Sequence, residues 1–198
     1  MPKLGMEPIR RAALVKATIA QIGETGSLDV TVQQIAKRAG MSSALAHHYF
    51  GSKEQIFLAA MRHILTVYGA EVRGALLMAQ GPRARLEAII RAGFGPANFR
   101  PEVVAAWLNF YVLARTSPDA ARLLSIYQGR LRSNLLHDLR ILSGARAPDA
   151  ADRIAGLIDG LYLRQGLSMD PQGHKIATRH VLECLECELR AAEQGVVG

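Results

Sequence analysis

This 198-residue chain lacks several things whose absence narrows what it can be. No apolar run reaches the ~18 residues a membrane span needs, because arginine, lysine or glutamate interrupts every hydrophobic stretch. The start, Met1 to Arg11, carries Lys3, Arg10 and Arg11 but no apolar core or small-residue cleavage site of a secretory leader, so a cytoplasmic location and no membrane partner are expected. Only two cysteines occur, Cys184 and Cys187. They form a C-x-x-C, yet no second cysteine pair or spaced histidine pair completes a zinc set, and no βαβ pattern frames a redox motif. They read as two small helix residues. Sustained period-2 alternation is missing, as are Asn-Gly or Asp-Gly hairpin turns between β-branched runs, so an all-α fold is expected.

Catalytic motifs are also lacking. Gly93-Phe94-Gly95 has asparagine at the third glycine position and no strand before it, and no Walker loop, Gly-x-Ser-x-Gly elbow or His-Glu-x-x-His occurs. His47 and His48 are neighbours that diverge by about 100° on a helix, which makes them poor joint metal ligands. The expectation is a protein that is not an enzyme, with no cofactor and no metal.

What is present is basic charge. Lysine and arginine number 24 against 17 acidic residues, a formal +7 with a sequence pI near 9.8. The first 62 residues hold eight basic and four acidic residues, leaving sixteen and thirteen for the rest, so the excess is concentrated toward the N-terminus. A polyanion such as nucleic acid fits that distribution. Loop punctuation at Gly26, Gly40, Gly51, Gly81-Pro82, Gly93 to Pro101, Ser117-Pro118, Ser143 to Pro148 and Met169 to Gly173 leaves about nine helices, the first three short. This predicts an N-terminal module over residues 1–52 and a larger helical body over 53–198, with the fourth helix as a bridge.

Within that module, residues 31–50 read TVQQIAKRAGMSSALAHHYF. Thr31 with Gln34, and Ser52 with Gln55, have capping-box spacing, and Ser42 suits an N-cap. A capped helix, a short glycine-containing turn and a second capped helix make a helix-turn-helix. Val32, Ile35, Ala36, Met41, Leu45 and Phe50 fall on the inner face. Gln33, Lys37, Ser42, Ser43, Ala44, His47, His48 and Tyr49 fall outside. Ser42, Tyr49 and Lys53 are candidate donors to phosphate oxygens, while Ser43, Ala44 and His47 are candidates for base edges. Thr31, Gln33 and His48 complete the set of residues expected to face DNA. On spacing alone, a plain helical hairpin is an equal reading.

The runs Ile35-Ala36-Lys37-Arg38-Ala39-Gly40-Met41-Ser42 and His48-Tyr49-Phe50-Gly51-Ser52-Lys53-Glu54 resemble the TetR family of bacterial transcriptional repressors. One departure is His47, where most members carry tyrosine. The resemblance implies sequence-specific binding of double-stranded operator DNA, a helical ligand domain and a homodimer. Further segments, the start MPKLGMEPIRR, Ala106 to Phe110 and Leu157 to Arg164, resemble the branch of the family that represses glycine betaine synthesis from choline. That implies an effector such as choline or betaine aldehyde. On this resemblance Trp107, Phe110, Tyr111 and Tyr162 are candidates for an aromatic cage around a quaternary ammonium, with Asp159 or Asn109 completing it.

Ordinary core packing of the same aromatics stays open beside the cage. The stripes Ile154, Leu157, Ile158, Leu161, Gln165 and Leu182, Leu185, Leu189, with Gly156 and Gly160 four apart, suit a dimer through the last two helices. Two other readings are a repressor responding to a different hydrophobic ligand and a non-specific architectural DNA binder.

Overall fold

The computed structural model describes residues 5–168 and 170–195; Met1 to Leu4 of the basic start, and Met169, lie outside the described residues. Among the described residues there are nine α-helices and no strand: α1 (Met6–Thr25), α2 (Val32–Arg38), α3 (Ser43–Phe50), α4 (Lys53–Met78), α5 (Gly81–Gly93), α6 (Pro101–Leu113), α7 (Pro118–Ser143), α8 (Ala147–Ser168) and α9 (Gly173–Gly195), with a 3-10 turn at Gly144–Arg146 before α8. The all-α expectation holds. No helix among the described residues is long and apolar enough to cross a membrane. Pro82, Pro101 and Pro118 open their helices, where a missing N–H costs nothing because the first turn has no acceptor for it.

The chain packs as two compact units, one of Met1–Thr66 and Arg100–Leu123, the other of Val67–Phe99 and Leu124–Gly198. This division differs from the boundary expected at residue 52. α4 and α7 each contribute to both units, and α6 joins the N-terminal helices, where it packs on α1.

In the first unit, α1 buries Leu14, Val15, Thr18, Ile19 and Ile22, a stripe with helical spacing. Thr18 satisfies its buried hydroxyl by donating to the Leu14 carbonyl at 2.8 Å. α6 lies against α1 so closely that a Cβ on Gly23 would sit 2.4 Å from Cβ and 2.7 Å from Cα of Glu102. Trp107 and Phe110 are buried, while Val112 is 71% exposed.

In the second unit, Leu86, Ile89 and Ile90 of α5 meet Leu131, Leu135 and Leu139 of α7, Ile154 and Ile158 of α8, and Val181, Leu185 and Leu189 of α9. The stripes expected to make a dimer contact therefore largely form the core of the chain's own second unit, and Leu185 is fully buried there. Asp138, 2% exposed, is neutralised by Arg85, whose Nε lies 3.0 and 3.1 Å from its two oxygens.

Two glycines in helix interiors should respond to alanine with opposite signs. Gly23→Ala forces α1 and α6 apart and should cost about 1–3 kcal/mol, a fall of several degrees in Tm. Gly74→Ala meets nothing within 4 Å and should raise stability by about 0.4–1 kcal/mol through helix propensity. Thermal unfolding followed by circular dichroism checks both.

Candidate functional site

The helix-turn-helix is built from local bonds. Thr31 Oγ1 accepts from the Gln34 N–H at 3.1 Å while the Gln34 side chain accepts from the Thr31 N–H at 2.7 Å, a complete capping box. α2 then stops in a Schellman turn. Gly40 takes a left-handed φ of 68°, its N–H donates to Lys37 at 3.1 Å, and the Met41 N–H donates to Ala36 at 2.9 Å. Ser42 at once caps α3 by accepting from the Leu45 N–H at 3.2 Å. α3 ends at Gly51, φ 76°, and Ser52 caps α4 by accepting from Gln55 N–H at 3.2 Å. The second capping box is only half formed, since the Gln55 amide donates to Asp119 instead and the Ser52 N–H donates to Phe50.

The two faces separate largely as expected. Ile35 and Ala36 are buried, and Val32, Met41, Leu45 and Phe50 are half-buried; Ala46, not anticipated, is the fully buried residue of α3. Gln33, Lys37, Ser42, Ala44, His47 and His48 are exposed, and Ser43 and Tyr49 half-exposed. Gln33, Lys37, Ser42 and Ser43 are brought together around Gly40 and Met41, lining a shallow cleft of about 450 Å³. Thr31 is exposed but holds the α2 cap.

Four side chains have partners that spacing did not reveal. His47 Nδ1 lies 3.0 Å from the Gly51 carbonyl, which only accepts, so Nδ1 is the donor of this bond. Lys53, expected on phosphate, donates to the Leu28 carbonyl at 3.1 Å and ties the start of α4 to the loop before α2. Arg11 of α1 places its guanidinium 5.5 Å from the Tyr49 ring and 5.0 Å from the Phe50 ring, bracing the end of α3. On α2, Arg38 is held by Glu24 at 2.6 Å, and its hydrogen bond keeps the Glu24 carboxyl below the usual range.

The candidate ligand residues divide between the units. Trp107, Asn109, Phe110 and Tyr111 belong to the first, where the Trp107 ring stands 5.7 Å from both Phe110 and Tyr111. Asn109 has a structural task there. Its amide donates to Gly26 at 3.1 Å and Ala105 at 2.8 Å, and its oxygen accepts from the Leu28 N–H at 3.2 Å, clipping α6 to the loop that leads into α2.

Asp159 and Tyr162 belong to the second unit. Tyr162 donates to the Asn98 carbonyl at 2.6 Å, and Tyr127 donates to Asp159 at 3.0 Å. Around them are residues the sequence did not single out, Tyr68, Glu71, Asn98 and Tyr127. Among the described residues no group of three or more His, Cys, Asp or Glu is arranged to hold a metal.

Residues 14–60 match the family described as bacterial regulatory proteins, tetR family, and residues 82–190 match the BetI-type transcriptional repressor C-terminal family. The chain is 52% identical over 171 residues to the HTH-type transcriptional regulator BetI of Brucella suis biovar 1, covering 86% of each chain. It is 48% identical over 199 residues to that of Agrobacterium fabrum, covering 98% of this chain and 95% of the relative. A transcriptional regulator of Pseudomonas aeruginosa PAO1 superposes with a TM-score of 0.83 at 26% identity, covering 97% and 95% of the two chains. A transcriptional regulator of Saccharomonospora viridis, solved in complex with choline, superposes with a TM-score of 0.78 at 21% identity over 89% and 95%.

Asn109→Ala removes three hydrogen bonds, one of them spanning 81 residues, and should lower stability by about 2–3 kcal/mol with no ligand present. Thermal unfolding of the unliganded protein checks this.

Proposed function

Because the chain belongs to the TetR family of bacterial regulatory proteins, in its BetI-type branch of transcriptional repressors, we propose that it represses genes for converting choline to glycine betaine, with choline or betaine aldehyde as effector. A protein of this kind is a DNA-binding repressor and not an enzyme. The observation that carries the finer reading is the BetI-type match over residues 82–190, since effector specificity belongs to that half of the chain. The choline held by the Saccharomonospora relative supports it.

On operator DNA, α3 is the recognition helix. Ser42, Tyr49 and Lys37 meet phosphates, with Lys53 positioning the α3–α4 corner through Leu28. Ser43, Ala44 and His47 meet base edges. With Nδ1 donating to the Gly51 carbonyl, the His47 ring is held in place and offers its other nitrogen, Nε2, to a base edge. A non-specific architectural binder would have no use for a ring fixed in this way.

The protein acts as a homodimer, which places two recognition helices about 34 Å apart on a near-palindromic operator. Its contact lies on the α8 face carrying Gly156 and Gly160, both exposed and with nothing within 4 Å of an added Cβ.

Fluorescence anisotropy on operator and scrambled duplexes across a salt series tests the assignments. Lys37→Ala should weaken both alike and reduce the salt slope by about one phosphate contact, whereas His47→Ala should mainly reduce operator preference. Equal loss on both duplexes for His47→Ala removes it from base reading. Gly160→Arg fits the single chain and should give a folded monomer in sedimentation velocity; a folded dimer places the contact elsewhere.

A further inference from the structure

Within the second unit, two helices each carry a tyrosine and a carboxylate three residues apart: Tyr68 and Glu71 on α4, Asp159 and Tyr162 on α8. That spacing sets both members of a pair toward the same side of their helix. The pairs are joined at both ends. At one, the Tyr127 ring of α7 stands edge-on to Tyr68 at 6.0 Å while its hydroxyl donates to Asp159 Oδ1 at 3.0 Å. At the other, buried Asn98 donates its amide to Glu71 Oε2 at 3.1 Å and receives the Tyr162 hydroxyl on its carbonyl at 2.6 Å.

The charge balance of this ring points to a cation. Glu71 is half-buried, its hydrogen bond comes from a neutral amide, and it has no ion pair among the described residues. The Tyr68 side chain is half-buried, and its hydroxyl makes no hydrogen bond among the described residues. Its pKa is raised by burial first, and then by the charges of Asp159 and Glu71, so it stands in the field of both carboxylates. A half-buried carboxylate such as Glu71 is costlier to keep charged without a positive partner. A quaternary ammonium has no N–H to donate; it needs negative potential and π faces, which carboxylates and tyrosine rings supply.

We infer that Tyr68, Glu71, Asn98, Tyr127, Asp159 and Tyr162 form a seat for a quaternary ammonium alcohol or aldehyde. Glu71 and Asp159 supply the field, and the tyrosines supply ring surface. The Tyr68 hydroxyl meets the oxygen at the other end of the ligand. Asn98 positions Glu71 and Tyr162. The assignment rests on the proposal that the effector is a quaternary ammonium compound, and makes α4 and α7 contributors beside the α8 residues that the sequence suggested.

Calorimetric titration of the full-length protein with choline, tetramethylammonium and the neutral isostere 3,3-dimethylbutan-1-ol tests it. Glu71→Gln and Asp159→Asn keep the acceptors that Asn98 and Tyr127 use, so they remove charge and preserve shape. Each should weaken choline binding about tenfold or more while moving the neutral isostere by less than about twofold. Tyr68→Phe should weaken choline about threefold or more and leave tetramethylammonium, which has no hydroxyl, unchanged. If wild type binds choline and the folded charge variants bind it equally well, the seat is wrong while the effector reading stands. If wild type binds neither cation, both fail. Should a charge variant not fold, the choline-to-tetramethylammonium ratio of Tyr68→Phe decides, an unchanged ratio overturning the seat.

Discussion

The turn from Ala39 to Ser42 is the constraint on which the DNA-binding face depends. α2 has seven residues and α3 eight, too short to be stable as isolated helices in water. Their relative placement comes from consecutive backbone closures: the Thr31–Gln34 box, the left-handed Gly40, and the Ser42 cap. A Cβ at Gly40 meets no neighbour, so the demand there is conformational, a φ of 68° that costs an L-residue about 1 kcal/mol. Ile35, Ala36 and Ala46 then bury the inner side of the pair, which leaves Gln33, Lys37, Ser43, Ala44 and His47 turned outward.

Those local features explain why this region was legible in the sequence. A cap, a glycine stop and a small-residue helix start are encoded within four or five residues, so spacing finds them. What spacing could not find are partners far along the chain. Asn109 looked like a polar complement to a ligand because it sits among aromatics on α6, yet its bonds run to Gly26 and Leu28. Lys53 looked like a phosphate contact because it follows the recognition helix, yet it reaches back to Leu28. The boundary expected at residue 52 marked the end of the motif, whereas packing also draws residues 100–123 into that unit.

The second unit shows the converse. Tyr68, Glu71 and Tyr127 read as ordinary residues of amphipathic helices, since a tyrosine or a glutamate at helical spacing carries no signal by itself. Their significance comes from long-range bonds, Tyr127 to Asp159 across 32 residues and Asn98 to Glu71 across 27. Leu185 and Ile158 were read correctly as apolar stripe residues, but a stripe does not say whether its partner is the same chain or another; here it is the chain's own core.

Repression that responds to an effector requires a coupling free energy between the operator-binding face and the effector site, and such coupling is reciprocal. The most direct measurement is therefore a closed thermodynamic cycle on the purified wild-type protein at fixed salt, with operator affinity measured with and without saturating choline, and choline affinity with and without saturating operator. The expected result is that choline weakens operator binding and operator weakens choline binding by the same factor. Choline that binds tightly and leaves operator affinity unchanged would contradict its role as the effector.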